Sequence, residues 1–370
     1  MRAIILHARV IFNPKPTRRE EAQVRLFESD KSATRLPVLV ITGVLGSGKT
    51  TMLNRLLRHP EMSDSAVIIN EWGEIGIDHL LVETIDGEVA VMSSGCLCCT
   101  LRSDLEATLR GLLVRRERGE VPPFRRVLLE TTGLADPAPI MQMMLNNPLL
   151  SHFVRLDAVV TTVDAVNAPR QLAEHPEAVK QVAIADRLLL TKADLSDAAS
   201  VSVVESQLSR LNPGATVIAA AYGDVPPGHL FGAALFDPAR KTPDVQAWLR
   251  PERHEHHGST HDDNDRGIRS FCLTFDDPLP WHAVSNWLMM LRQWRGEDLS
   301  RVKGILHLQE EEQPVAIRGV HHVFHPPVQL SSWPEGDRRS RIVFITRGLE
   351  RAEVEETRSM LWERARMVPS

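Results

Sequence analysis

The chain has 370 residues, 43% of them hydrophobic and 25% charged, which supplies apolar material for two domains of the soluble globular class. Lys and Arg number 43 against 48 Asp and Glu, and the net charge of -5 argues against an electrostatic grip on nucleic acid or on an anionic membrane. No apolar run approaches the ~18 residues of a membrane span, and the opening MRAIILHARVIF is broken by His7 and Arg9 with no cleavage site behind it, so a cytoplasmic protein without a signal peptide is expected.

Residues 1–35 are polar and poorly patterned and read as a mobile or loosely docked N-terminal extension. The apolar run Pro37 to Thr42 then reads as a buried parallel strand feeding GVLGSGKT at 43–50, a complete GxxxxGKT phosphate-binding loop. Gly43, Gly46 and Gly48, with Ser47 between them, let backbone N–H groups curl around an anion, and a helix starting near Lys49 aims its positive end at the same place. Lys49 is expected on the β- and γ-phosphates, Thr50 on Mg²⁺, and Thr51 as a further phosphate donor.

A second strand, Ala66 to Asn70, leads into NEWGEIGID, where nucleotide hydrolases place the loop that answers to the γ-phosphate. Its acids Glu71, Glu74 and Asp78 suit metal ligation, water ordering or plain solvation. The strand Val89 to Ser93 runs into Gly95-Cys96-Leu97-Cys98-Cys99, three of the four cysteines within four residues, too close for separate disulfides. At the start of a helix opening near Leu101, with Arg102 beside them, these thiols suit Zn²⁺, Cu⁺ or Co²⁺, or a redox or buried thiol group.

The strand Arg126 to Glu130 continues as TTGLADP. Glu130 and Gly133 are the candidates for ordering Mg²⁺ water and for sensing the γ-phosphate through a backbone N–H. Strands at 156–164, 187–191 and 215–220 alternate with helical patterns such as Leu101–Arg118 and Asp197–Leu211, which makes residues 36–222 an α/β domain with a mainly parallel sheet. Thr191-Lys192-Ala193-Asp194 ends one of these strands. One carboxylate accepts the paired N1–H and N2–H₂ donors of guanine, an edge adenine lacks, so Asp194 points to GTP, with Thr191 standing where the usual NKxD motif has asparagine.

Residues 223–267 are rich in Pro, Gly, Asp and His and read as a linker. His254, His256, His257 and His261 there suit weak capture of divalent metal, or a polar linker with no such task. Past Ile268, strands at 269–275, 304–309, 315–324 and 341–346 and helices at 281–294 and 350–366 predict a small α+β domain over 268–366. His321, His322 and His325 read as surface or edge-strand residues, Cys272 as core, and Trp281, Trp287 and Trp294 as packing residues.

GVLGSGKTT, NEWGEIGID, SSGCLCCTLRSDL, LLETTGLADP and LLTKADL, in this order, resemble the CobW-type metallochaperone GTPases, relatives of the nickel-insertion GTPases of urease and hydrogenase. The resemblance spans about Pro37 to Tyr222 and extends into the small domain. It implies a P-loop GTPase that binds GTP and Mg²⁺ and takes Zn²⁺, or Co²⁺, at the GCxCC loop for delivery to a client metalloprotein. It carries Cys96, Cys98, Cys99 and Glu74 over as metal ligands, and Lys49, Thr50, Glu130, Lys192 and Asp194 as nucleotide residues. Homodimerisation stays open. The rival readings are a cobalt chaperone for cobalamin synthesis, a P-loop kinase of a small molecule, and a metal buffer indifferent to GTP.

Overall fold

The computed structural model describes residues 35–71, 89–93, 100–133, 135–231, 267–330, 332–333 and 337–367. The N-terminal extension, most of the 223–267 stretch, Glu74 and the three clustered cysteines lie outside the described residues.

Strand β1 (Leu36–Thr42) shows why the first sheet is covered on both faces. Successive side chains of a strand point to opposite sides, and here both sides are apolar. Val38 and Val40 enter one core with helix α2 (Thr100–Glu117) and helix α3 (Ala138–Asn146), while Leu39 and Ile41 enter another with helix α1 (Lys49–Leu57). The remaining strands are β2 (Ser65–Glu71), β3 (Val89–Ser93), β4 (Arg126–Glu130), β5 (Val154–Asp164), β6 (Arg187–Thr191) and β7 (Thr216–Ala220). All pairs among these seven are parallel, in the order β3-β2-β4-β1-β5-β6-β7. The order turns at β1, with β4 on one side and β5 on the other, which opens a crevice beyond the carboxyl ends of the strands. Helices α4 (Pro148–Phe153), α5 (Ala168–Glu174), α6 (Pro176–Ile184) and α7 (Ala198–Leu211) complete this part.

A second, antiparallel sheet follows, in the order β11-β10-β9-β13-β8, from β8 (Ile268–Phe275), β9 (Arg301–Leu306), β10 (Val315–Val320), β11 (Val323–Phe324) and β13 (Ser340–Arg347), with β12 (Val328–Gln329) paired to β10. Helices α8 (Trp281–Arg295) and α9 (Arg351–Met367) accompany it, and Trp287 is fully buried against Phe344. The two sheets share apolar surface. Val320 joins the core around α3, and Ile268 and Ile345 join the core around α6 and α7.

Three expectations are corrected. The strand expected over 304–309 runs from Arg301 to Leu306: its first residues include Arg301 and Lys303, which are buried and pair with Asp186, just ahead of β6. Residues 224–231 are not all linker: Val225 and Leu230 are buried in the core around α1, and Arg187 Nε donates to the carbonyl of His229. Trp294 is 52% exposed, with the Arg295 guanidinium over its ring, whereas Trp287 packs as expected. Cys272 is core, 5% exposed. His322 is exposed, but His325 is half-buried, and burial together with nearby Arg318 and Arg301 holds its pKa well below the ordinary value. Among the described residues no helix is long and apolar enough to cross a membrane.

Candidate functional site

The turn from β1 into α1 is built on glycines in backbone conformations that other residues rarely adopt. Gly43, Gly46 and Gly48 have φ of 143°, 76° and 92°. Gly43 also has no room for a side chain, since a Cβ there would lie 2.3 Å from Thr162 Oγ1 and 2.5 Å from the Thr162 carbonyl. Ser47, buried, shares a 2.7 Å hydrogen bond with Thr162 Oγ1. Lys49 is 7% exposed and curls back so that its ammonium donates to the carbonyls of Gly43 (2.9 Å) and Val44 (3.3 Å). Thr51 is exposed at the first turn of α1.

Parallel pairing sets β4 beside this loop, with Glu130 opposite Ile41. The Glu130 side chain is 2% exposed, and Thr50 Oγ1 donates to its Oε1 across 3.4 Å. These are hard oxygen donors of the kind Mg²⁺ selects. Just beyond, Gly133 lies so near the phosphate loop that a Cβ would meet the Leu45 nitrogen at 2.5 Å and its Cα at 2.8 Å. Any displacement of Gly133 is therefore felt at the loop.

The third component arrives on β6. Lys192 has φ of 58°, an unusual conformation for a non-glycine residue, and its ammonium donates to the Gly46 carbonyl (2.8 Å) and to Asp164 (2.7 Å). Burial alone would raise the Asp164 carboxyl, but Lys192 and Asn167 outweigh it and hold the group below its ordinary value. Thr191 is 3% exposed, and its hydroxyl donates to the carbonyl of Ser47 (2.7 Å). Asp194 is exposed on the short 3-10 turn Ala193–Leu195, beside a second turn, Ala221–Gly223, that carries the exposed Tyr222.

Gly43, Gly46, Ser47, Gly48, Lys49, Thr50, Glu130, Gly133 and Lys192 thus converge on one edge of the sheet, with Asp194 at its margin. Two polar residues of this network, Thr162 and Asp164, escaped the sequence reading. Both lie in the apolar run that ends β5, and the signal available for Asp164 was an acid at a strand end facing the phosphate loop. The backbone register also places Glu71 of β2 opposite Ser93 of β3, so the chain enters both the NEWGEIGID and GCLCC segments from this same edge. Among the described residues no group of three or more His, Cys, Asp or Glu side chains is placed to hold a metal.

A parallel α/β sheet, a glycine-bent loop with its lysine, a carboxylate at the neighbouring strand end and a lysine–aspartate turn define a P-loop GTPase. The chain belongs to the CobW/HypB/UreG family: residues 37–219 match its nucleotide-binding domain, and residues 268–359 match the C-terminal domain of the cobalamin synthesis protein cobW. It is 31% identical over 322 residues to the zinc chaperone YjiA of Escherichia coli, covering 86% of this chain and 96% of that protein. The zinc chaperone CobW of Pseudomonas aeruginosa is 29% identical over 357 residues, 88% of this chain and 91% of its own length. The crystal structure of Zn(II)-bound YjiA GTPase from E. coli superimposes with a TM-score of 0.66 at 28% identity, covering 88% of this chain and 99% of that one.

Proposed function

We propose that this chain is a GTP-hydrolysing metallochaperone that binds zinc at Cys96, Cys98 and Cys99, with Glu74 as a further ligand, and hands it to a client metalloprotein. The observation that carries this reading is the shared edge: β1 and β4 deliver the phosphate loop and Glu130 where β2 and β3 lead into the two metal-candidate segments. The names of the relatives favour zinc over cobalt as cargo.

In this reading the backbone of Gly43 to Gly48 cradles the phosphates, and Lys49 exchanges its loop carbonyls for the β- and γ-oxygens. Thr50 would hold Mg²⁺ and Glu130 would order the water on it, and the ion when bound neutralises charge on the transferring phosphoryl group. Thr51 adds a phosphate donor, Gly133 senses the γ-phosphate, and Lys192 lies along the nucleotide while Asp194 reads the guanine edge. No glutamine follows Gly133 within the TTGLADP segment to orient water, so unassisted turnover is slow. The chain divides functionally into the extension 1–35, the GTPase domain 36–222, the linker 223–267 and the C-terminal domain 268–366, with the core residues Val225 and Leu230 tying the start of the linker to the GTPase domain.

Linkage fixes the test. If the γ-phosphate and the metal favour one arrangement of the two loops, Mg·GTP raises metal affinity by the same factor that metal raises GTP affinity, and ~1–3 kcal/mol of coupling corresponds to about 5- to 150-fold. Competitive Zn²⁺ titration with a Mg·GTP analogue and with Mg·GDP should show that difference in the wild type, and Cys98→Ser should lose the tight site. Equal wild-type affinity in both nucleotide states would refute the chaperone mechanism. Tight nucleotide-dependent binding in Cys98→Ser would place the site elsewhere.

A further inference from the structure

Helix α6 is gripped at two places by different parts of the molecule. Near its middle, Gln181 is fully buried, and its carboxamide nitrogen donates to the carbonyls of Ala135 (2.9 Å) and Gly133 (3.4 Å), in the segment that follows Glu130. Lys180, one residue earlier, reaches Asp136 of the same segment at 3.5 Å. The helix is anchored to β5 as well, because Thr161 Oγ1 donates to the Gln181 carbonyl at 2.8 Å.

At its carboxyl end the helix leaves carbonyls without intrahelical partners. Asn212 Nδ2 donates to the carbonyls of Val182 (2.8 Å) and Ala183 (3.2 Å) and, just past the helix, of Ala185 (2.9 Å). The Ile184 carbonyl accepts from Arg301, which belongs to β9 of the other sheet. Two residues further, Asp186 pairs with Arg301 and with Lys303 (2.9 Å). A cation at a helix C-terminus also complements the helix dipole, so this contact holds the end of α6 to the second sheet.

The segment containing Gly133 touches the phosphate loop at Leu45, and Gln181 is the side chain that holds two of its carbonyls from behind. We propose that Gln181 is a positioning residue for GTP hydrolysis, clamping the Gly133 segment against the phosphate loop, and that α6 links this clamp to the C-terminal domain through Ile184 and Asp186. The helix has nine residues, about 13 Å at 1.5 Å per residue, short enough to move as one body. A shift of Gly133 on meeting the γ-phosphate pulls at Gln181, and the same helix bears on Arg301. The proposal rests on the GTPase reading.

The test is steady-state GTP hydrolysis by the full-length protein, with binding of a fluorescent GDP analogue measured beside it. GDP is held by the phosphate loop and the base turn, neither of which Gln181 touches. Gln181→Ala should therefore lower kcat about tenfold, equivalent to ~1.4 kcal/mol of transition-state stabilisation, with KM and GDP affinity within about twofold of wild type. Gln181→Glu, which keeps the size but sets a carboxylate against two carbonyls, should not rescue. Arg301→Met leaves Asp186 paired with Lys303 and should lower kcat by a smaller factor. The double variant Gln181→Ala/Arg301→Met should be no more than about twofold slower than Gln181→Ala alone, since both changes cut one linkage. Wild-type kcat in Gln181→Ala, or an equal loss of GDP affinity, overturns the clamp, and multiplying factors in the double variant overturn the link through α6. Lys49→Ala, run alongside, separates the two levels. If it hydrolyses GTP as fast as wild type the GTPase site itself is misassigned, whereas a fast Gln181→Ala enzyme beside an inactive Lys49→Ala enzyme sinks the clamp alone.

Discussion

Asp194 stands exposed on its turn, and that exposure is what a base-reading carboxylate requires. A buried aspartate would already be spent on internal donors, as Asp164 is on Lys192 and Asn167. A good bidentate contact to a base edge is worth ~1–3 kcal/mol, so the wild type should bind GTP at least about tenfold better than ATP. Asp194→Asn should lose that preference and favour xanthosine triphosphate, whose base keeps the N1–H donor but has a carbonyl acceptor where guanine has its 2-amino group, matching the oxygen and N–H of an amide. Calorimetric titration of the three triphosphates decides the matter, and equal GTP and ATP binding by the wild type would remove Asp194 from the base site.

At the scale of elements, the turn after β6 explains how threonine serves where the guanine motif ordinarily has asparagine. The Thr191 hydroxyl bridges the Ser47 carbonyl of the phosphate loop and, at 3.2 Å, the Val163 carbonyl of β5, binding three segments together from a short side chain. Thr191→Val keeps the shape and removes the hydrogen bonds. It should cost ~1–3 kcal/mol of stability, the penalty of leaving a buried acceptor unsatisfied, and should weaken both GTP and ATP, because the loop it tethers holds phosphates rather than base. Urea midpoints and triphosphate affinities measure the two effects; an unchanged midpoint would mean the tether carries no energy. Most elements around this site were legible because short apolar runs, such as the VLL of RVLLE and the LLL of RLLLT, stop at recognisable loop chemistry. The strand at Arg301 was displaced in the sequence reading for the opposite reason. Arginine and lysine in alternate positions look solvated until Asp186, more than a hundred residues earlier, is seen to neutralise them. Gln181 was hidden likewise, since its partners are backbone carbonyls of a distant loop and nothing in helical periodicity marks it.

For the whole molecule the consequence lies in the seam between the sheets, where Asp186 is 6% exposed, Arg301 6% and Lys303 7%. One carboxylate faces two cations, and it also accepts the Val159 N–H at 2.9 Å. Burial opposes ionisation of Asp186, but Arg301 and Lys303 outweigh it and hold its pKa far below the ordinary carboxylate value. Burial and the neighbouring charge of Arg301 push Lys303 the other way from a free lysine, down to about 8, against the pull of Asp186. Below pH 8 both folded and unfolded chains carry the Lys303 proton, so its contribution to the pH dependence is flat there. Between pH 8 and about 10.4 the unfolded chain still holds a proton that the folded chain has released, so stability from this group rises with pH, by on the order of 3 kcal/mol at full extent. Asp186 acts at the other end: its stabilisation is complete above about pH 4 and is lost as the pH falls further through its lowered folded value. Urea unfolding followed by tryptophan fluorescence, wild type against Lys303→Met, should therefore give a difference that grows in favour of wild type from pH 8 to 10.4 and is level from pH 6 to 8. Asp186→Asn removes the carboxylate that two buried cations share and should cost ~3–5 kcal/mol at pH 7, with the rise displaced to lower pH because Lys303 then gives up its proton more readily. A wild-type minus Lys303→Met difference that stays level up to pH 10.4 would show that the ammonium is solvated and that the seam is held without it, by the Arg301–Asp186 pair and the apolar contacts at Val320, Ile268 and Ile345.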